Sequence, residues 1–473
     1  MANKKRAKSM SKCTLIILVI FFLCPASYAA EKSLDTDSVS EINKRIDNGL
    51  YVGMVIGIID EEGERYFSFG KTSLESAQAP DKNTVFTVGS ISKTFAATLL
   101  ADMVLRGEMS YTRPIKHYLP EYVQVPVRGE QEITAWHLIT HTSGLPRKPE
   151  NLVSGDLSSG YANYSVERAY EALSDATLGF DTGSDIQYSS FGVGLLAHIL
   201  TLQSGQSWEE LLSERVTDIL AMPSTSSLLS PQFESRLAQG HSFPVTTDAH
   251  VHMVFPTAGS IKSTAKDMLR YLAANMGIYD STLSKAMQST HKEKFHKGAV
   301  PGAKQGFGWW IMEDNVIHSG MTHGYRSFVG FNRKKMRGIV VLSNSSNYMQ
   351  DIAMRLLDPD WELWDSKPPL SIALYRDIET LGPKVSLKKF THLSKNELTA
   401  YYIDFDGLID TGFYYLDSSK QQTGIEVLQF TAALFPDSSS AFNYLAEAYE
   451  KIGDKTNAEI SYQKAREAMS RSM

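Results

Sequence analysis

The 473-residue chain is 42% hydrophobic, 21% charged and 10% aromatic. That balance excludes a disordered, collagenous or multi-span membrane protein and suits two or three globular units. Its formal charge is −6 at pH 7, and five lysines and arginines with no acidic residue fall within residues 1–29, so the chain without that segment carries −11 and is not expected to bind nucleic acid.

At the amino terminus Lys4, Lys5, Arg6, Lys8 and Lys12 precede an apolar run over residues 13–24, followed by the small residues Ser27 and Ala29. This order predicts a secretory signal peptide over residues 1–29, and the run is short for a membrane span. The expected location is the periplasm, with no stable membrane span after cleavage. Cys13 and Cys24 both lie in the segment to be removed. Disulfides and thiolate metal sites are therefore not expected in the mature chain.

Residues 52–60 are a strand-like apolar stretch, Glu61, Glu62 and Gly63 make a turn, and residues 65–69 return as a second strand. Ile91, Phe95, Leu99 and Met103 recur at i+4 and predict a helix with one apolar stripe that ends near Gly107. Residues 326–332 and 337–342 predict a late hairpin around the basic turn 333–335. First and last strands in one antiparallel sheet, with helices between and around them, is an α+β arrangement. A unit over residues 30–370 follows, then a Pro-containing linker over 371–393. Ser394 and Glu397 form a capping box. Residues 394–473 resemble a tetratricopeptide pair with a 34-residue period: Gly412, Tyr415 and Pro436 in a degenerate first unit, Leu445, Tyr449, Ala458, Tyr462 and Ala465 in the second. Such a tail is either a helical cap or a protein-binding module.

Three motifs carry chemistry. Ser90 and Lys93 form S-x-x-K at a helix start, which puts both side chains on one face. A neutral lysine can take the serine proton, and a serine at a helix N-terminus offers its own N–H to developing negative charge. Tyr188, in Tyr188-Ser189-Ser190, precedes an apolar helix over 193–200 and can relay a proton. His318-Ser319-Gly320 enters the late hairpin; Gly320 permits close approach of substrate backbone, and the Met321 N–H can complete an oxyanion hole. His137 and His141 stand at i, i+4, but Leu-Ile-Thr lies between them, so neither a metal nor a cofactor is expected. His141 reads as part of a turn with Ser143 and Gly144, and Trp309 and Trp310 read as core. No G-x-S-x-G elbow is present.

In this order the motifs resemble the penicillin-recognising serine hydrolases, specifically the class C β-lactamase branch. The stretches 133–146 and 258–265 and Gly306-Phe307-Gly308-Trp309 are similar to the same family. The resemblance implies a β-lactamase/transpeptidase-like fold with an added all-helical subdomain. It also implies catalysis by Ser90, Lys93 and Tyr188, with Ser190, His318, Gly320 and Met321 binding substrate. Where the family's β-lactamases carry Tyr-x-Asn and Lys-Thr-Gly, this chain has Ser190 and His318. Ser190 lacks two amide donors, and a histidine of ordinary pKa is mostly uncharged at neutral pH. The expected activity is a D-alanyl peptidase or penicillin-binding protein with weak β-lactamase turnover; an esterase, and a cell-wall peptide sensor acting through the tail, are the alternatives. The expected ligand is a small molecule or a peptidoglycan peptide. Arg326 is the candidate to replace the missing lysine charge.

Overall fold

The computed structural model describes residues 34–152, 164–242, 245–247, 255, 257 and 259–471; the expected signal peptide lies outside them. The strands are β1 (Gly53–Asp60), β2 (Gly63–Gly70), β3 (Val85–Thr87), β4 (Gly240–Ser242), β5 (Val245–Thr247), β6 (Lys262–Thr264), β7 (Lys304–Gln305), β8 (Trp310–Met312), β9 (Asn315–Thr322), β10 (Tyr325–Asn332) and β11 (Arg337–Ser343). Seven of them build one antiparallel sheet in the order β2-β1-β11-β10-β9-β8-β7, while β3 pairs with β6 and β4 with β5. The early and late hairpins therefore meet: β1 zips onto β11 from Met54 opposite Ser343 to Ile59 opposite Gly338.

Alternation along β1 explains its central place, because both of its faces are apolar and both are covered. Met54, Ile56 and Ile58, with Phe328, Ile339 and Val341, pack under the helices Thr36–Asp47 and Gln350–Leu357. Those helices are tied by the buried Arg45, which makes 2.9 and 2.5 Å contacts to both oxygens of Asp351 and donates at 3.0 Å to the Tyr51 hydroxyl. Val55, Ile59, Val329, Val340 and Leu342 face the other way, toward the helices Ser92–Leu105 and Ala265–Met276.

The Ser92–Leu105 helix is buried on all sides from Ser92 to Met103, not along one stripe. It is wedged between the sheet and the helical subdomain, so its polar side is also internal. Thr94 and Thr98 satisfy their hydroxyls there: the Tyr271 hydroxyl donates to Thr94 Oγ1 at 3.0 Å, and Thr98 Oγ1 donates to the Thr94 carbonyl at 3.1 Å.

Residues 371–393, expected as a linker, are helical, in Leu370–Leu381 and Pro383–Thr391. Leu370, Leu374, Ile378 and Phe390 supply an apolar face that packs on Leu408, Tyr415 and Val427, and Pro383 sits in a first helical turn, where its missing N–H costs nothing. The Ser394–Glu397 capping box forms, but the helix it opens is only Lys395–Leu398. Two consecutive helix pairs follow, Phe405–Leu416 with Gln421–Leu434 and Ser439–Lys451 with Lys455–Arg471. Leu445, Tyr449, Ala458 and Ala465 are buried, and Tyr462 is half-buried. A Cβ on Gly424 would lie 2.6 Å from the Gly412 carbonyl oxygen, so small residues are needed where that first pair touches. The tail rests on the sheet unit, with Ser242 Oγ donating to Asp410 Oδ2 at 2.8 Å. No helix among the described residues is long and apolar enough to cross a membrane.

Candidate active site

Ser90 sits in the single 3₁₀ turn Gly89–Ile91, which joins β3 to the Ser92–Leu105 helix. Lys93 Nζ donates to Ser90 Oγ at 3.0 Å and to the Thr257 carbonyl at 3.3 Å, and Lys93 is fully buried. Among the described residues no carboxylate forms an ion pair with it. The turn is pinned by two neighbours: Val88 N donates to the Ile261 carbonyl at 2.9 Å, and Ser327 Oγ donates to the Val88 carbonyl at 2.7 Å.

Two glycines let β9 lie against this turn. Gly89 has φ +55°, and a Cβ there would meet Met321 N at 2.6 Å; a Cβ on Gly320 would overlap the Val88 carbonyl oxygen and stand 3.0 Å from Ser90 N. The direction of the Met321 N–H follows from register. With His323 and Gly324 as a two-residue turn, Thr322 and Tyr325 are the hydrogen-bonded pair of the hairpin, so the alternate residues Met321 and Ser319 turn their N–H groups away from β10. β8 pairs with β9 only as far as Ile317, so that edge is open beside Ser90. The amides of Ser90 and Met321 thus come together as a pair of donors suited to an oxyanion.

Tyr188 stands immediately before Ser189, which caps the Ser190–Ser204 helix by accepting from Gly192 N at 2.8 Å while donating to the Pro146 carbonyl at 2.7 Å. The Tyr188 ring lies between two cations, 5.1 Å from Lys93 Nζ and 5.3 Å from the Arg147 guanidinium. Ser190 is half-buried in the first turn of that helix, its backbone N–H donating to the Arg147 carbonyl at 3.0 Å.

His141, read from sequence as a turn residue, positions Tyr188. Its Nδ1 accepts from Ser189 N at 3.2 Å, its carbonyl accepts from Gln187 N at 2.9 Å, and its ring packs 4.5 Å from that of Tyr188. Its backbone has φ +62°, a strained value for a non-glycine residue. The only sequence signal was the turn itself, Thr142-Ser143-Gly144; nothing local tied it to a tyrosine 47 residues on. His137 serves elsewhere, accepting from Thr134 N at 3.2 Å.

His318 is 1% exposed and stacks on Trp310 at 4.3 Å, with no hydrogen-bond partner for either ring nitrogen among the described residues. Burial, and then the Lys93 charge, push its pKa down to about 3. It is neutral throughout the physiological range and brings no charge to a substrate carboxylate. Trp310 is core, packed with Ile317 and Phe328, and also faces the Tyr188 ring at 6.4 Å; Trp309 is core as well, fully buried beside Tyr271. Arg326 does not take over the missing charge at Ser90. Alternation in β10 sends Ser327 toward the Ser90 turn and Arg326 to the opposite face, against Tyr348 and Gln350.

Buried neutral histidines set the acid limit of the fold. Burial holds His241 at about 4 and, aided by Arg333, His291 at about 3; burial and then Lys93 and His318 hold His141 well below its ordinary value. Unfolded, these groups and His318 take up protons near pH 6.5. Stability is therefore complete above that pH and falls as pH drops toward 4, by about 1.4 kcal/mol per pH unit for each histidine. The expected result is a urea midpoint that falls steeply from pH 6.5 to 5; a flat midpoint would mean that these rings are charged in the native state.

Residues 41–358 match the family model described as Beta-lactamase. A β-lactamase of Escherichia coli (strain K12) is 26% identical over 378 residues, spanning 71% of this chain and 95% of its own. The D-alanyl-D-alanine-carboxypeptidase/endopeptidase AmpH of the same organism is 27% identical over 267 residues, 53% of this chain and 66% of its own. A solved class C β-lactamase shares the fold with a TM-score of 0.60 at 24% identity, over 68% of this chain and 97% of that one. A β-lactamase/D-alanine carboxypeptidase from Yersinia pestis does so at 0.60 and 22%, over 68% and 96%. The family match stops before the helical tail, but it takes in both hairpins and the Ser90 turn, and on that match the chain belongs to the β-lactamase family and is a serine hydrolase.

Proposed function

We propose that the chain is an exported, periplasmic hydrolase that forms an acyl-enzyme at Ser90 with D-alanyl-type peptide amides and, less productively, with β-lactams. The 3.0 Å contact between Lys93 Nζ and Ser90 Oγ carries this reading. As Oγ bonds to the substrate carbonyl carbon, the Ser90 proton passes to the Lys93 amine, and the amides of Ser90 and Met321 hold the resulting oxyanion. The carbon–nitrogen bond then breaks, and the proton passes through Tyr188 to the leaving amine. Water adds to the Ser90 ester, gives a proton back to the serine oxygen, and releases the acid.

The neutral, buried His318 disfavours an efficient β-lactamase, because no charge at that place holds the β-lactam carboxylate; a terminal D-alanine carboxylate would meet the same uncharged ring. The four helices after residue 404 are read as tetratricopeptide-like. The test is intact-protein mass spectrometry of residues 30–473 with a penicillin, followed over time beside Ser90→Ala. A persistent adduct on the unsubstituted protein alone is expected. Rapid decay of the adduct with drug turnover would make it a β-lactamase, absence of any adduct with hydrolysis of a simple ester would make it an esterase, and an adduct on Ser90→Ala would remove Ser90 as nucleophile.

A further inference from the structure

A groove of about 760 Å³ separates the sheet unit from the helical tail, within the ~300–1,000 Å³ usual for ligand sites. Met321, Arg326 and Tyr348 line it from the sheet unit, and Asp406, Asp410 and Tyr444 from the tail. The groove begins where the candidate active site ends, since Met321 both lines it and turns its amide to the Ser90 turn. The Met321 amide faces the Ser90 turn while its side chain shares the opposite face of the sheet with Arg326, so a substrate with its reacting carbonyl at Ser90 enters the groove by bending around the β9 edge beyond Met321.

The two walls carry opposite charges that do not meet. Arg326 is half-buried, and its contacts are a 3.4 Å hydrogen bond to Gln350 Oε1 and the Tyr348 ring at 5.6 Å; its Nε has no hydrogen-bond partner, and no carboxylate among the described residues pairs with it. Across the groove, Asp406 and Asp410 stand one helical turn apart on Phe405–Leu416 and so share a face. No lysine or arginine among the described residues forms an ion pair with either; Asp410 accepts from Ser242, and His323 is the basic group near it. A half-buried guanidinium without a counter-ion is costly to keep. The cleft also prevents the simplest remedy, direct pairing of Arg326 with the tail carboxylates. A ligand with one charge of each sign, set between aromatic rings, satisfies both walls at once.

We propose that this groove is a substrate subsite built jointly by the hydrolase unit and the tail, and that it takes a peptide bearing a free carboxylate, held by Arg326, and a free ammonium group, held by Asp406 and Asp410. The proposal rests on the Ser90 reading for its orientation, with the groove receiving the acyl side of the substrate. It gives the tail, which lies outside the family match, a direct part in choosing the substrate.

Binding separates the subsite from the chemistry. Calorimetric titration of the full mature chain carrying Ser90→Ala uses three probes: acetyl-Glu-Lys-D-Ala-D-Ala, the same peptide acetylated on its lysine, and the same peptide with glutamine for glutamate. The peptide with both its glutamate and lysine side chains charged is expected to bind at least about tenfold tighter than either peptide with one of them neutralised. Asp406→Asn should erase the preference for the free lysine and Arg326→Gln that for the glutamate; among the described residues Asp406 makes no hydrogen bond to the sheet unit, so its variant is expected to keep the tail docked. Equal affinity for the three peptides, or a preference that survives both variants, overturns the subsite. Acylation of the unsubstituted chain by a small penicillin reads the Ser90 assignment by itself: a penicillin adduct without peptide preference sinks the groove alone, and peptide preference without any adduct sinks the enzyme mechanism alone.

Discussion

Lys93→Met lowers the rate of Ser90 acylation by about a thousandfold, or ~4 kcal/mol in barrier height, within the range for removal of a general base. Methionine has nearly the length of lysine and adapts to its buried slot, so the Ser92–Leu105 helix keeps its packing, but it cannot accept the Ser90 proton. Two roles for the lysine are separable by Lys93→Arg. An arginine keeps the positive charge near Ser90 and Tyr188 and does not give up its proton at accessible pH. If Lys93 acted only by its field, the arginine variant would retain most of the rate; as a proton acceptor, it requires that both variants fall together. The measurement is the rate of penicillin adduct growth on intact protein, with far-ultraviolet circular dichroism to show that each variant is folded. Acylation of Lys93→Met near the unsubstituted rate would remove Lys93 from the mechanism.

The parts of this site that the sequence revealed are those with a local signature. Ser90 and Lys93 are three residues apart, and one turn of backbone brings them to 3.0 Å whatever surrounds them. The two hairpins are equally local, and the unbroken apolar run of β1 is the pattern of a strand covered on both faces. What the sequence did not reveal depends on contacts between distant segments. His141 holds the Tyr188 loop 47 residues away, Trp310 stacks on His318 across neighbouring strands, and the Thr257 carbonyl reaches Lys93 over a separation of 164 residues. The error on Arg326 has a different origin. Its position beside the motif suggested the site, but strand alternation sends it to the far face, and which face holds Ser90 is known only once β9 is placed against the turn. The linker reading failed because prolines were taken as breaks, whereas Pro383 stands where a helix begins and Leu370, Leu374 and Ile378 keep helical spacing before it.

Gly320→Ala tests the placement of β9 directly, and its effect on rate is expected to exceed its effect on stability. The added methyl would overlap the Val88 carbonyl oxygen and the Ser327 hydroxyl and stand 3.0 Å from Ser90 N. Restoring ordinary contact distances needs the strand and the turn to part by more than about 1 Å. Overpacking of this kind costs about 1–3 kcal/mol, which a domain with this large a core tolerates. The same displacement separates the Ser90 and Met321 amides, and losing one oxyanion donor alone costs about a hundred- to a thousandfold. The variant is therefore expected to fold, to melt several degrees lower, and to acylate at least about a hundredfold more slowly with a penicillin or a D-alanyl thioester. Because Ser90 and Lys93 keep their own contact in the helix start, a slow residual adduct should still form on Ser90. A folded Gly320→Ala protein that acylates at the original rate would show that the Met321 amide does not face the reacting oxygen, and the oxyanion hole would have to be built from other donors.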